Sequence, residues 1–143
     1  MRRLAREGAG TPELRLWVLE AVPVACVGRA PRCELEGVVS RMRRDLRFKL
    51  DPPDVDRVQH PWFTVLAGGG DCDCLSTLFA ACGFILGWPV RFTVGAKPGK
   101  SVPTHVLPEA GIDGRWIPVE VSSRFIPIGQ YPPGFVPLGQ VTL

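Results

Sequence analysis

Hydrophobic positions recur at different spacings along the chain, and each spacing predicts a different element. Between Pro31 and Phe48 the apolar residues recur every three or four positions and arginines occupy the opposite side, which predicts an amphipathic helix. An earlier helix is predicted to begin at Pro12 and to end before Pro23. Apolar and polar residues alternate in 90–94, as they do in a half-buried strand.

The stretch 68–86 predicts the central element of the domain. Three glycines form a loop of low steric demand before Asp71, which can cap a helix whose apolar residues recur at helical spacing as far as Leu86. This helix is apolar on nearly all sides and contains several small residues. Such a helix belongs in the middle of a domain.

Two later segments, 104–107 and 115–121, are predicted to be strands of a hairpin. The dipeptide Asp113-Gly114 between them is a strong signal for a two-residue turn. Helices first, then one central helix, then an antiparallel sheet is the order of an α+β domain. We expect a single domain over 1–143, long enough to bury about two thirds of its unfolded surface.

The position of the turn determines which side chains share a face of this hairpin. With the turn at 113–114, the register places His105 opposite Ser122, and Glu120 lies diagonally across on the same face. Diagonal neighbours are ~7 Å apart by backbone, within reach of a glutamate carboxylate. A single bulge near Pro108 would turn Glu120 to the opposite face.

Three segments carry weaker signals. Residues 1–11 are basic and contain glycine, so we expect them to fray. Residues 58–66 are predicted to form an extended or irregular approach to the glycine loop. The proline- and glycine-rich tail, 127–143, cannot form a regular helix but can wrap around the domain or contact a partner.

Composition excludes some classes of function. The chain has 143 residues, 45% of them hydrophobic, and a net charge of +3, which is ordinary for a globular protein. Aromatic residues do not alternate with the arginines, which argues against a nucleic-acid partner. The apolar runs are too short to span a membrane and the start lacks a signal core, so we expect no membrane span, no signal peptide and a cytoplasmic location.

The chain has five cysteines, an odd number that leaves at least one thiol free. Cys72 and Cys74 are separated by one residue, and Cys26 and Cys33 by six, so neither pair has the spacing of a zinc knuckle. We expect neither a metal nor a cofactor. Cys26, Cys33 and Cys82 are predicted to be core thiols, because a domain of this size needs no disulfide.

Cys72 stands apart because it falls in the first turn of the central helix. Unpaired N–H groups and the positive end of the helix dipole favour a thiolate there, so Cys72 can be a nucleophile. A base is needed, and His105 beside Glu120 is favoured over His60, which we interpret as a turn residue. Cys74 is about 200° further round the helix and is predicted to be structural. A redox module using Cys72 and Cys74 is disfavoured, because Cys-x-Cys lacks the two-residue spacing of thioredoxin-type motifs.

These residues resemble a known family. The motif Gly70-Asp71-Cys72-Asp73, the helix ending in Gly-Trp-Pro, the strand beginning at His105 and the hairpin segment 113–120 look like the transglutaminase-like cysteine proteases of the papain-like superfamily. The chain is most similar to the small versions found in bacteriophages and prophages. It departs from their pattern at Glu120 and Cys74, where the family usually has aspartate.

The resemblance implies a papain-like core and acyl transfer from an amide. Cys72 would attack a peptide or carboxamide carbonyl and form a thioester, with His105 as base and Glu120 as the acid that orients it. The oxyanion would be stabilised by the backbone N–H of Cys72 and a second donor, either Gln59 or Trp62.

The resemblance also suggests partners. A protein or peptide substrate is expected, and the tail is a candidate contact for other phage structural proteins. An alternative function is a structural component of the phage particle that keeps the fold and has little or no activity. In that case the chain would reside in the virion.

Overall fold

The structure is a computed structural model that describes residues 1–26, 30–55 and 57–143. Its helices, apart from a short 3-10 helix at Val24–Cys26, are Arg2–Ala9 (α1), Pro12–Ala21 (α2), Pro31–Asp45 (α3), Pro61–Leu66 (α4) and Cys72–Leu86 (α5). Its strands are Arg47–Phe48 (β1), Gly69–Gly70 (β2), Val90–Ala96 (β3), His105–Ile112 (β4), Arg115–Pro118 (β5) and Val136–Thr142 (β6).

Helix α5 is the centre of the molecule, as the sequence predicts. The Asp71 side chain accepts a hydrogen bond of 2.9 Å from the backbone N–H of Cys74 and so caps the helix. Gly87 ends it in the left-handed conformation that favours glycine. The residues from Cys74 to Gly83 are all buried, because helices α1 and α4 and strands β3 and β4 surround them.

A four-stranded antiparallel sheet in the order β5-β4-β3-β6 covers one side of α5. The β4–β5 register pairs Ile112 with Arg115 and Glu109 with Pro118, which is the predicted register, and it runs without a bulge. Apolar residues of β3 such as Phe92 face the helical core, whereas Arg91 belongs to the opposite, outer face. This arrangement confirms the α+β prediction.

Helices α2 and α3 complete the core. The apolar stripe of α3 is buried against the rest of the core, including Leu35 and Met42. Trp88 closes the core near the end of α5, and its Nε1–H donates to Glu34 Oε2 at 3.1 Å. Trp116 is only partly buried and lies under the guanidinium of Arg91, whose Cζ is 4.6 Å from the centroid of the Trp116 ring.

Two segments differ from the predictions. Residues 1–11 were expected to fray, but they contain α1, which packs on α5 and buries Ala5 completely. Residues 58–66 were expected to be irregular, but they contain α4, because the His60 side chain caps a helix that Pro61 begins. The tail, 127–143, contains no helix, as predicted, and adds the edge strand β6, which pairs with β3.

The structure also contains a small parallel pairing of β1 with β2. Gly69 makes it possible, since its φ is +136° and an added Cβ would lie 1.8 Å from the Arg47 carbonyl oxygen. Cys26 and Cys33, expected to be free core thiols, form a disulfide, which their Cα separation of 5.6 Å permits. Within the described residues, no helix combines the length and apolarity needed to cross a bilayer.

Candidate active site

Cys72 is the first residue of α5 and is partly exposed. Its Sγ lies 3.5 Å from Oδ1 of Asp73. Its place in the first turn puts it at the helix end where backbone N–H groups are unpaired and the helix dipole is positive. The glycine loop before Asp71 lets the chain pass close to the helix, since an added Cβ at Gly70 would lie 2.6 Å from Cβ of Cys74.

His105 and Glu120 meet across the hairpin. Nε2 of His105, the first residue of β4, lies 2.7 Å from Oε2 of Glu120, two residues beyond the end of β5. The other carboxylate oxygen, Oε1, accepts a hydrogen bond of 2.7 Å from the backbone N–H of Ser122. Glu120 is 2% exposed, so both oxygens are held in a buried environment and the orientation of the carboxylate is fixed.

The environment of His105 favours its protonated form. Burial alone would lower the pKa of the imidazole, but the hydrogen-bonding and charge interactions with Cys72 and Glu120 outweigh it and raise the pKa to about 10. Since Glu120 engages Nε2, Nδ1 is the nitrogen left for Cys72. The arrangement therefore favours the imidazolium form of His105.

Arg43 of α3 supports the Glu120 segment from behind. Its Nη2 donates to the main-chain carbonyls of Glu120 at 3.2 Å and Ile126 at 2.6 Å. Burial lowers the pKa of this guanidinium, and the Glu120 charge partly offsets the effect. The sequence pattern did not identify Arg43, because arginines on the polar side of an amphipathic helix normally face solvent. One indication was present: Arg43 is four residues after Val39, which is buried, so the two side chains are neighbours on the surface of α3.

Three cavities adjoin the imidazole. The largest, of about 640 Å³, is a cleft that contains both Cys72 and His105, and strand residues including Val94 and Val141 line it with apolar surface. The second, of about 530 Å³, is lined by residues that include Phe135. The smallest, of about 300 Å³, is lined by Glu120 and by side chains of the segment that follows it. A substrate in the largest cleft would reach sulfur and imidazole together.

Comparison of the sequence with models of known protein families identifies the family of this chain. The model of the Transglutaminase-like superfamily matches residues 28–121, which include Cys72, His105 and Glu120. The chain belongs to this superfamily. The match concerns the superfamily as a whole, so the bacteriophage subtype stays a prediction. A comparison with curated protein sequences gave no match.

Solved structures share the fold of this superfamily member. A candidate cysteine protease from Cytophaga hutchinsonii has a TM-score of 0.65 and 17% identity over 90% of this chain and 42% of its own. A candidate protease from Parabacteroides distasonis has a TM-score of 0.62 and 11% identity over 91% of this chain and 30% of its own. Calcium-bound LapG from Legionella pneumophila has a TM-score of 0.65 and 18% identity over 98% and 81%.

The chain therefore spans less than half of the first two structures and most of the third. At these identities the likeness concerns the fold. Together with the superfamily match, it supports an enzyme of the cysteine hydrolase kind. In the part of the chain that the structure describes, no group of three or more His, Cys, Asp or Glu side chains is arranged to hold a metal ion.

The other two free cysteines lie in inert environments. Cys74 is buried on the far side of the helix start, where its Sγ accepts from the Gln59 N–H at 3.3 Å. Burial raises the pKa of Cys74 to about 12 and that of Cys82 to about 12 as well. Cys72 is thus the most accessible of the three free thiols.

The residues considered as oxyanion donors occupy different positions. The backbone N–H of Cys72 lies at the helix start beside the sulfur. Gln59 adjoins this turn through Cys74 and lines a separate cavity together with His60. Trp62 packs against the core, and its backbone N–H donates to Nδ1 of His60 at 3.3 Å. Among the described hydrogen bonds, neither Gln59 nor Trp62 contacts Cys72.

Proposed function

We propose that this protein is a cysteine-dependent hydrolase or acyltransferase that acts on a peptide or amide bond through a thioester. In this proposal Cys72 is the nucleophile, His105 is the general base and acid, and Glu120 orients the imidazole. The observation that carries it is the 2.7 Å contact between His105 and the buried Glu120, next to a cleft that His105 shares with Cys72.

The proposed first step is acylation. His105 holds the Cys72 proton on Nδ1, and the thiolate attacks the carbonyl carbon to form a tetrahedral oxyanion. The Cys72 backbone N–H and a second donor, for which Gln59 and Trp62 remain the candidates, stabilise that charge. As the carbon–nitrogen bond breaks, Nδ1 of His105 gives its proton to the leaving amine, and a thioester on Cys72 remains.

The proposed second step releases the acyl group. Water gives a proton to His105 while its oxygen attacks the thioester, and the thiolate leaves to regenerate the ion pair with a carboxylic acid as product. If an amine attacks in place of water, the product is a new amide. The proposed substrate is a protein or peptide, since the cleft is open and lined with apolar strand residues.

Thiol alkylation at low pH tests the ion pair directly. At pH 6, iodoacetamide should modify Cys72 at least about tenfold faster than Cys74 and Cys82, because thiolates react and thiols do not. Peptide mass spectrometry assigns the site. The variant His105→Ala should slow modification of Cys72 sharply, whereas His60→Ala, the matched control at the chain's other histidine, should leave the rate unchanged.

An activated ester tests acyl transfer itself. With p-nitrophenyl acetate the enzyme should release close to one equivalent of nitrophenol in a burst and carry one acetyl group on Cys72. Hydroxylamine should speed removal of the acetyl group from Cys72 if the enzyme accepts amines as well as water in the second step.

The alternative, a virion component with little or no activity, rests on the Glu120 and Cys74 departures and on the proline-rich tail. It predicts equally slow alkylation of all free thiols and no burst, and that outcome would replace the enzymatic proposal.

A further inference from the structure

A segment of the C-terminal region lies against the proposed base. The ring of Phe135 meets the imidazole of His105 edge to face, with centroids 6.1 Å apart and planes at 87°. Tyr131 stacks on Phe135, with centroids 5.4 Å apart and planes 13° from parallel. We call residues Tyr131–Phe135 the aromatic brace. The imidazole is therefore the first of three rings in contact, two of which come from the brace.

A glycine makes room for the brace. Gly95 of β3 pairs with His105 of β4, and a Cβ at this position would lie 2.4 Å from Cζ of Phe135 and 2.6 Å from the Val136 carbonyl oxygen. Any side chain at 95 would push the Phe135 ring away from the imidazole. The sheet is thus shaped at this position to admit the ring.

A buried carboxylate outside the proposed triad anchors the brace. The Tyr131 hydroxyl donates to Oε1 of Glu109 at 2.8 Å, and Glu109 is 1% exposed. The Thr93 hydroxyl donates to the same oxygen, while Arg91 binds Oε2 through Nε at 3.1 Å and Nη2 at 2.7 Å. Glu109, Arg91 and Thr93 all belong to β3 and β4, the two central strands of the sheet. The brace is therefore attached to the most constrained part of the sheet.

We propose that the aromatic brace positions His105, an inference that rests on the proposed function. Glu120 holds only Nε2, so rotation of the ring about its side-chain bonds could still move Nδ1 away from Cys72. Phe135 blocks that rotation and covers the imidazole on the side away from the cleft, and the Tyr131–Glu109 hydrogen bond holds Phe135 in place. Misplacement of a reacting group by about 1 Å can cost about a hundredfold in rate, which is why such a support matters.

Other charges near the imidazole stay constant when the brace is altered. Besides Cys72 and Glu120, the ionisable groups that share a cavity with His105 are the Met1 amino group and the side chains of Arg2, Asp71, Asp73, Lys97 and Lys100. Phe135 carries no charge, and Tyr131 reaches the sheet through Glu109. A fall in the titration midpoint of His105 on altering Phe135 therefore reports lost orientation, because greater solvent access alone would raise that midpoint.

The test combines Cys72 alkylation with NMR titration of the His105 imidazole in the full chain. Phe135→Ala should slow alkylation of Cys72 at pH 6 by about tenfold. It should also lower the titration midpoint of His105 by at least about half a pH unit, because a rotated imidazole loses the interactions with Glu120 and Cys72 that raise its pKa, whereas loss of burial alone would raise the midpoint. Phe135→Tyr retains the ring and should stay within about threefold of the wild type. Tyr131→Phe retains the stack but loses the hydrogen bond, so about a threefold loss is expected.

Phe125→Ala is the matched control, because Phe125 is 91% exposed in the same region of the chain. Among the described ring contacts of His105 and of the brace, none involves Phe125. It should leave both measurements unchanged. If Phe135→Ala fails to fold, Tyr131→Phe decides by the same two measurements.

The outcomes separate this inference from the proposed function. If wild-type Cys72 is selectively alkylated but Phe135→Ala changes neither the rate nor the titration, the brace has no positioning role and the inference is wrong. If wild-type Cys72 is unreactive, the proposed function fails. The titration then still decides the brace, since a lowered midpoint supports it and an unchanged or raised midpoint overturns it.

Discussion

Two buried glutamates on one sheet differ in what neutralises them. Glu109 is 1% exposed and binds the guanidinium of Arg91 through Nε and Nη2, whereas Glu120 is 2% exposed and binds the imidazole of His105. Arginine is always charged in this setting, but histidine can lose its proton. The first pair is therefore a permanent ion pair, whereas the imidazole of the second can release its proton, as the proposed function requires. Burial alone does not distinguish these two carboxylates.

The largest expected effect is on stability, from Glu109→Gln. The substitution leaves the 19% exposed Arg91 side chain without its counter-charge, and breaking a buried ion pair costs about 3–5 kcal/mol. Urea denaturation should show that loss in the free energy of unfolding. Cys72 alkylation at pH 6 in the folded fraction should stay within about threefold, because the amide oxygen can still accept from Tyr131. If Glu109→Gln were as stable as the wild type, the ion pair with Arg91 would not be what stabilises this part of the sheet.

Glu120→Gln should have the opposite profile. The amide removes the negative charge that raises the pKa of His105, so that pKa should fall from about 10 toward its ordinary value. We expect alkylation of Cys72 at pH 6 to slow by about ten- to a hundredfold and the alkaline limb of any acyl-transfer activity to move to lower pH. The free energy of unfolding should fall less than in Glu109→Gln, because the amide oxygen can still accept the hydrogen bond from the Ser122 N–H. Unchanged thiol reactivity would mean that Glu120, like Glu109, is structural.

Glu120→Asp should have a smaller effect on the same measurement. The charge is retained, but the side chain is one methylene shorter and cannot reach both Nε2 of His105 and the Ser122 N–H with the present backbone. Losing one of these two hydrogen bonds costs about 1–2 kcal/mol, so alkylation of Cys72 should slow by less than about tenfold. A faster rate than in the wild type would show that the aspartate usual in the resembling family is the better orienting acid here.

The same comparison shows what the sequence could reveal. The pairing of His105 with Glu120 was predictable, because the Asp-Gly turn fixes the register and parity then assigns the faces. The anchoring role of Glu109 was not, since its partners Thr93 and Tyr131 come from another strand and from a distant loop. Nothing local to Glu109 indicates those contacts.

Among the helices and strands, too, those with local sequence signals were predicted and those that depend on distant partners were not. Helix α5 carries its own signals, in the Asp71 cap and the apolar residues at helical spacing, and was predicted closely. Strand β6 has almost no burial on either face and is held by its pairing with β3, so its residues show no pattern. Helix α1 is short and basic and depends on packing against α5. Elements that depend on tertiary contacts are those that the sequence could not predict.

The smallest expected effect is a pH dependence of stability that only one of the two pairs should show. The folded pKa of His105, about 10, lies above its unfolded value of 6.5, so the protonated imidazole stabilises the folded state. That contribution is fully present below pH 6.5 and is lost as the pH rises through about 10. The gap in unfolding free energy between wild type and Glu120→Gln should therefore be largest at pH 6 and should narrow toward pH 10. The gap between wild type and Glu109→Gln should stay constant between pH 6 and pH 8, because arginine does not titrate there and the pKa of Tyr131 is raised above 10 by burial and by Glu109. Urea denaturation of the three proteins at pH 6, 8 and 10 measures both gaps, and a Glu120→Gln gap that persists at pH 10 would show that the imidazolium is not what Glu120 stabilises.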